Sequence, residues 1–317
     1  MGRLIDGKWV TEDLGTDARG HFVRRATKYR ARPTADGSSG FVAEPGRYHL
    51  YISHACGWCH RTMIFRRLKG LESAITVSRV QPRMLEEGWE FADGGDPVLG
   101  KRRLYEVYLA KDADYTGRAS VPVLWDRETN AIVTNESADI CTAFDREFDA
   151  HARNPELRLF PEDLREQIDE MIAANYEPIN NGVYKAGFAG SQRAHEEAAT
   201  ALFRRLDELE TLLGERRYLC GDRITAADWF LFPTLFRFDA VYYVHFKCNL
   251  RRIVDYPNLW GYTRELYQWP GVRDVCNLDE AKTHYYSSHE SLHPRRYIPI
   301  GPDLDFDAPH DRAGIRA

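Results

Sequence analysis

The chain has 317 residues, 43% hydrophobic and 29% charged, an ordinary soluble composition with enough length for a sizeable core and two domains. A net charge of −5 disfavours nucleic acid as main partner, and the longest apolar run, Trp229–Leu235, is too short to span a membrane and holds Pro233. Six scattered cysteines, with only Cys56 and Cys59 close together, exclude a disulfide framework; with no secretory core in Met1–Asp6, the expected location is the cytoplasm.

Residues 1–40 read as an N-terminal extension of weak periodicity, with breakers at Asp36–Gly40 and Glu44–Gly46. Such a segment is a surface arm, or a flap that packs on another subunit or closes over a site. Tyr48–Ser53 is aromatic and β-branched and predicts a strand. Met63, Phe65 and Leu68, interleaved with Arg61, Arg66, Arg67 and Lys69, predict an amphipathic helix.

Between them lies Cys56-Gly57-Trp58-Cys59-His60. A cysteine just ahead of a helix faces unpaired N–H groups and the positive end of the helix dipole, which favours the thiolate. Four readings stand at this turn. A Cys-x-x-Cys at a strand-to-helix turn suits a thioredoxin-like redox or thiol-transfer site. The same letters match Cys-x-x-Cys-His haem attachment, which belongs to exported proteins. His54, Cys56, Cys59 and His60 form a cramped zinc set. Both cysteines also fit as small buried hydrophobes.

Ala74–Val80 predicts a second strand, parallel to the first in a βαβ unit. Residues 81–118 read as long and irregular, with breakers at Asp93–Pro97, and Trp89 there is either a core aromatic or a pocket wall. Pro122 places Ser120–Asp126 at the start or end of a strand, and Ala131–Thr134 is its hairpin partner. Asn135 is the expected N-cap of the next helix, with Ser137 offering a free hydroxyl to an anion. Beyond residue 160, Leu164–Tyr176, His195–Leu213 and Thr225–His245 show helical spacing, the last opened by a capping box of Thr225 and Asp228. Arg251, Arg252, Arg295 and Arg296 read as solvated charge, and the tail from Gly301 as a peripheral strap.

Taken together, the Val-Pro strand, Asn-Glu-Ser-Ala-Asp (135–139) and Gly-Asp-x-Ile-Thr-Ala-Ala-Asp (221–228) resemble a glutathione transferase. Longer blocks, among them RYHLYISHACGWCHRTMIFRRLKGLE, LYEVYLAKDADYTGRASVPVLWD, NNGVYKAGFA and HYYSSHESLHP, resemble the Xi class, the glutathionyl-hydroquinone reductases, over roughly residues 41–300. The resemblance implies an α/β thioredoxin-like domain over 41–150, an all-α substrate domain over 160–290 and a tail over 291–317. It implies reduction of S-glutathionyl-hydroquinones with glutathione as co-substrate, no metal, no haem, and a homodimer. By motif, Cys56 is the nucleophile and Tyr184 the proton donor, with Tyr242 and Tyr285 beside the thiolate. Trp89, Arg118, Val121, Glu136 and Ser137 are glutathione contacts, and the Val121–Pro122 bond is expected to be cis. Two residues depart from the pattern: Gly57 replaces the usual proline, and Cys59 the usual alanine or other small residue. Cys59 is therefore a candidate resolving thiol, which keeps a general glutaredoxin-like or Omega-class-like oxidoreductase, and another small thiol, as alternatives.

Overall fold

Asp6 and Gly7, with φ of 47° and 73°, make the two-residue turn between β1 (Gly2–Ile5) and β2 (Lys8–Thr11), paired Ile5 to Lys8. Positive φ at both positions is what a type I′ turn requires. This hairpin, absent from the sequence reading, is anchored by Trp9, whose ring stacks on Tyr105 at 4.9 Å and whose indole N–H donates to the Glu86 carbonyl (2.9 Å). The computed structural model describes residues 2–12, 15–92 and 94–315. Met1, Asp93 and the last two residues of the expected tail lie outside the described residues. Contacts divide the chain into two compact units.

The first unit takes Met1–Asp13, Arg25–Leu157 and Asp279–Ile298. Its main sheet has the order β4-β3-β5-β6, from β3 (Tyr48–Ile52), β4 (Thr76–Arg79), β5 (Val123–Asp126) and β6 (Ala131–Thr134). β3 runs parallel to β4 and antiparallel to β5, and Leu50 faces both Val77 and Leu124. All five residues of β3 are buried, as befits a strand flanked on both sides. Pro122 stands just before β5, outside the hydrogen-bonded ladder, and its bond to Val121 is cis.

Helix α1 (Gly57–Lys69) follows β3 and ends on Gly70 in the left-handed region (φ 67°). Its basic residues are not all on a solvated face, contrary to the amphipathic reading. Lys69 is fully buried and donates to Asp149 Oδ1 (2.8 Å) and to the carbonyls of Pro155 and Leu157, while Arg61 is 3% exposed. The stretch read as irregular contains α2 (Leu104–Lys111). Its start is a capping box in which Glu106 accepts from the Arg103 N–H (2.7 Å), and it buries Leu104, Val107 and Tyr108. Helix α3 (Ser137–Arg146) is capped by Glu136, which accepts from the Ala138 N–H (3.2 Å), not by Asn135. Asn135 instead accepts from the Tyr29 N–H and donates to the Tyr108 hydroxyl.

The second unit takes Leu14–Arg24, Arg158–Leu278 and Pro299–Ala317. It holds α4 (Arg165–Asn175), α5 (Gly182–Gly187), α6 (Gln192–Glu215), α7 (Ala226–Arg237), α8 (Tyr243–His245) and α9 (Pro257–Tyr267). Asp228 is its hub: fully buried, it accepts from the Leu219 and Thr225 N–H groups and from the Tyr262 hydroxyl (2.7 Å). Burial pushes its carboxyl up, and the donors around it pull the other way. Arg312, in the tail, donates to the carbonyls of Leu213, Arg216 and Arg217 and so satisfies the open C-terminal end of α6. The last helix, α10 (Leu278–Ser288), falls almost wholly in the first unit.

Candidate active site

The first unit places the Cys56 sulfur just beyond the end of its central strand. Ser53 ends the run after β3, and Cys56 becomes the N-cap of α1 with extended φ/ψ of −77° and 121°. Its Sγ accepts from the Cys59 main-chain N–H at 3.3 Å and lies 3.6 Å from the Val121 carbonyl, to which the thiol donates. An N-cap sulfur aimed at the first turn meets the partial positive charge that an anionic sulfur needs. Cys56 is half-buried, whereas the Cys59 side chain, inside α1, is 1% exposed. Among the described residues no three or more His, Cys, Asp or Glu side chains are grouped to hold a metal ion, so His54, Cys56, Cys59 and His60 do not converge as the zinc reading required.

Ser137 does not carry the free hydroxyl expected of it. Its Oγ accepts from Arg61 Nε (2.9 Å) and Nη2 (2.5 Å), and Arg61 Nη2 also reaches Glu136 Oε1 (3.3 Å). Arg61 comes from α1, with its guanidinium 4.8 Å over the Trp58 ring. Glu136 and Ser137 are thus held together from beneath by one buried cation. Arg61 went unnamed as a site residue, although its spacing, three after Trp58 and four before Phe65, places it on the buried face.

Trp89 is 8% exposed and stacks on His284 of α10 at 4.7 Å and 22°. His284 donates from Nδ1 to the Pro82 carbonyl (2.9 Å), and burial pushes its pKa down to about 4, so the ring against Trp89 is neutral. Tyr285, the next residue, is 2% exposed with its ring edge-on to His289. Glu280, also on α10, faces His54 (3.4 Å) and Arg79 (2.9 Å), and the His54 contact, then the charges, lowers its carboxyl pKa. α10 is therefore tied to the segment that leads into Cys56. Arg118 is half-buried on the stretch leading to Val121, and its carbonyl accepts from Tyr115 (3.4 Å).

Tyr184 and Tyr242 belong to the second unit, in an aromatic cluster. Their rings are 6.0 Å apart, and Phe246 packs against both at 5.6 Å. Tyr184 is half-buried and Tyr242 is 1% exposed. The face of Tyr184 carries the Arg24 guanidinium at 4.9 Å, a residue the sequence gave no reason to single out.

The family model for the N-terminal domain of glutathione S-transferases matches residues 55–147, and that for the C-terminal domain residues 192–265. The chain is 47% identical to glutathionyl-hydroquinone reductase YqjG of Escherichia coli over 324 residues, covering 98% of each protein. The glutathione-bound structure of that protein matches with a TM-score of 0.90 at 46% identity, over 98% of this chain and 99% of the other. A Xi-class glutathione transferase of Natrialba magadii matches with a TM-score of 0.92 at 46% identity, over 98% of this chain and 96% of the other.

Proposed function

The chain belongs to the Xi-class glutathione transferases, and from that premise we infer that it is a glutathionyl-hydroquinone reductase with glutathione as co-substrate. The observation that carries this is Cys56 at the N-cap of α1, its sulfur held by a main-chain N–H, in a chain 47% identical to a reductase of that name. The Cys56 thiolate attacks the sulfur of an S-glutathionyl-hydroquinone. The new bond is a disulfide between Cys56 and glutathione; the sulfur–aryl bond breaks, and its electron pair stays on the ring carbon. That carbon takes a proton and leaves as the hydroquinone. A second glutathione, as thiolate, attacks the mixed disulfide, forms oxidised glutathione and returns Cys56 as thiolate.

Roles for the other residues follow as proposals. Tyr184 supplies the proton to the aryl carbon, for which a half-buried phenol is chemically suited. Glu136 and Ser137 hold the γ-glutamyl end of glutathione, supported by their fixed geometry over Arg61. Val121 offers its main chain to the peptide, Trp89 and Arg118 flank it, and Tyr242 and Tyr285 hydrogen-bond around the reacting sulfur. Cys59 acts through its main-chain N–H, and its side chain, 1% exposed inside α1, stays a buried thiol. Residence in the cytoplasm, in keeping with six free cysteines, and a homodimer complete the reading. Light scattering on the purified protein tests the dimer.

The Cys56/Cys59 pair favours one alternative, a general thiol–disulfide oxidoreductase. Turnover of an S-glutathionyl-hydroquinone measured against a glutathionylated peptide separates the two. The reductase reading expects the hydroquinone conjugate to be consumed far faster, and preference for the peptide would replace it.

A further inference from the structure

The segment read as a surface arm is fastened in the second unit along residues 17–24. Asp17 Oδ1 accepts from the Arg19 and His21 N–H groups (2.8 and 2.9 Å) and so closes a turn at Gly20, whose φ is 86°. A Cβ on Gly20 would lie 2.7 Å from Ser191 Oγ, so glycine permits the close approach. The Gly190 N–H donates to the Gly20 carbonyl (2.8 Å), and Ser191, the N-cap of α6, donates from Oγ to the Arg19 carbonyl (2.9 Å). His21 bridges Asp17 (3.1 Å) and Glu197 (2.9 Å). Phe22 packs on Phe188 at 5.5 Å.

This strap delivers Arg24. Its Nε donates to Asn181 Oδ1 (2.8 Å), and its Cζ lies 4.9 Å over the Tyr184 ring and 5.6 Å from the Phe22 ring. One nitrogen fixed by Asn181, ahead of α5, and an aromatic on the strap itself leave the guanidinium little freedom except to lie on the phenol face. Phe188 and Phe246 also pack against Tyr184, at 6.4 and 5.6 Å. A cation over an aromatic face is already attracted to a neutral ring. It is attracted more strongly once the phenol oxygen gives up its proton and charge spreads into the ring. That extra attraction exists in the transition state and not in the ground state, so it acts on the rate of proton transfer and not on substrate binding.

We propose that Arg24 is a positioning residue for proton donation by Tyr184, its guanidinium stabilising the negative charge that grows on the phenol as the proton leaves. The proposal rests on the reading of Tyr184 as the donor. It assigns the strap a part in catalysis.

A double-mutant cycle on the full-length protein tests it, read as single-turnover release of hydroquinone from an S-glutathionyl-hydroquinone. Arg24→Gln is expected to slow release about tenfold, with KM for both substrates within about twofold. Arg24→Lys keeps the charge and is expected to recover a good part of that loss, which a packing role would not allow. In a Tyr184→Phe background, Arg24→Gln is expected to add nothing further. Full additivity of the two substitutions, or Arg24→Lys no better than Arg24→Gln, overturns the proposal while leaving Tyr184 as donor. Unchanged release in Tyr184→Phe alone overturns the donor reading and the proposal with it. Thermal melts of each variant keep loss of fold apart from loss of rate.

Discussion

Replacing Arg61 by Met removes a buried cation that joins α1 to Glu136 and Ser137. In the wild type it makes two contacts to Ser137 Oγ (2.9 and 2.5 Å) and one to Glu136 (3.3 Å), from a side chain 3% exposed. Charge-assisted hydrogen bonds are worth about 1.5–3 kcal/mol each when buried, but they share donors here and are not additive. Glu136 is half-buried, so water recovers part of what it loses. The expected fall in stability is therefore about 2–4 kcal/mol, less than two full bonds at the upper value. On the proposed role of Glu136 and Ser137 the functional effect is on binding of the conjugate, because a clamp on the γ-glutamyl end touches a part remote from the reacting sulfur. An interaction equal in ground and transition states changes KM and not kcat. A loosened clamp is expected to raise KM for the S-glutathionyl-hydroquinone about 10- to 50-fold, with kcat within about threefold. Arg61→Lys keeps the charge but not the planar fork and should fall between. The assay is steady-state turnover at fixed glutathione and varied hydroquinone conjugate, beside denaturant unfolding. Stability lost with KM unmoved would show that Arg61 only holds α3 to α1, and would refute its part in binding.

Tyr184→Phe is expected to slow hydroquinone release about a hundredfold in a single turnover, the size of a general-acid contribution, and unchanged release would assign the proton to another group. Cys59→Ala is expected to leave the lifetime of the Cys56–glutathione adduct as it is in wild type; an internal Cys56–Cys59 disulfide in wild type would make Cys59 the resolving thiol. Stability should also depend on acid. Burial pushes His49 and His284 down from 6.5 to about 4, with the Arg127 charge adding to the effect at His49. The folded state thus excludes protons that the unfolded state binds, so this stability is complete above about pH 6.5 and is lost as pH falls toward 4, by on the order of 3 kcal/mol per histidine. Denaturant midpoints between pH 4 and 7 should fall with acid, and less steeply in His284→Gln; an equal slope in the variant would remove His284 from the account.

Much of the setting of Cys56 was legible because it is local. Tyr48–Ile52, Cys56 and the start of α1 lie within one strand, one turn and one helix, and short-range pattern reports such things directly. The Asp6-Gly7 turn was equally local and was passed over, since each strand beside it has only four residues. Helix α2 escaped because Tyr105 and Leu109 make it apolar nearly all round, so Leu104, Val107 and Tyr108 do not stand out as a stripe, and its capping box starts on an arginine. Ser137 was misread for a different reason. Its partner Arg61 lies 76 positions earlier, and no local pattern shows that a buried cation meets a helix start. The stacking of Trp89 on His284 is more distant still, which is why Trp89 could be weighed only as core or pocket. Arg24 lay in a stretch without periodicity, and its place over Tyr184 depends on a strap that only the folded chain fastens.

The central claim is that Cys56 takes the glutathionyl group from the substrate sulfur. Mixing the enzyme with one equivalent of an S-glutathionyl-hydroquinone and no free glutathione, quenching with acid, and weighing the peptides tests it most directly. The expected result is free hydroquinone in step with glutathione bound in disulfide linkage to Cys56, and neither product in Cys56→Ala. Hydroquinone released while Cys56 stays unmodified, or released at full rate by Cys56→Ala, would contradict it.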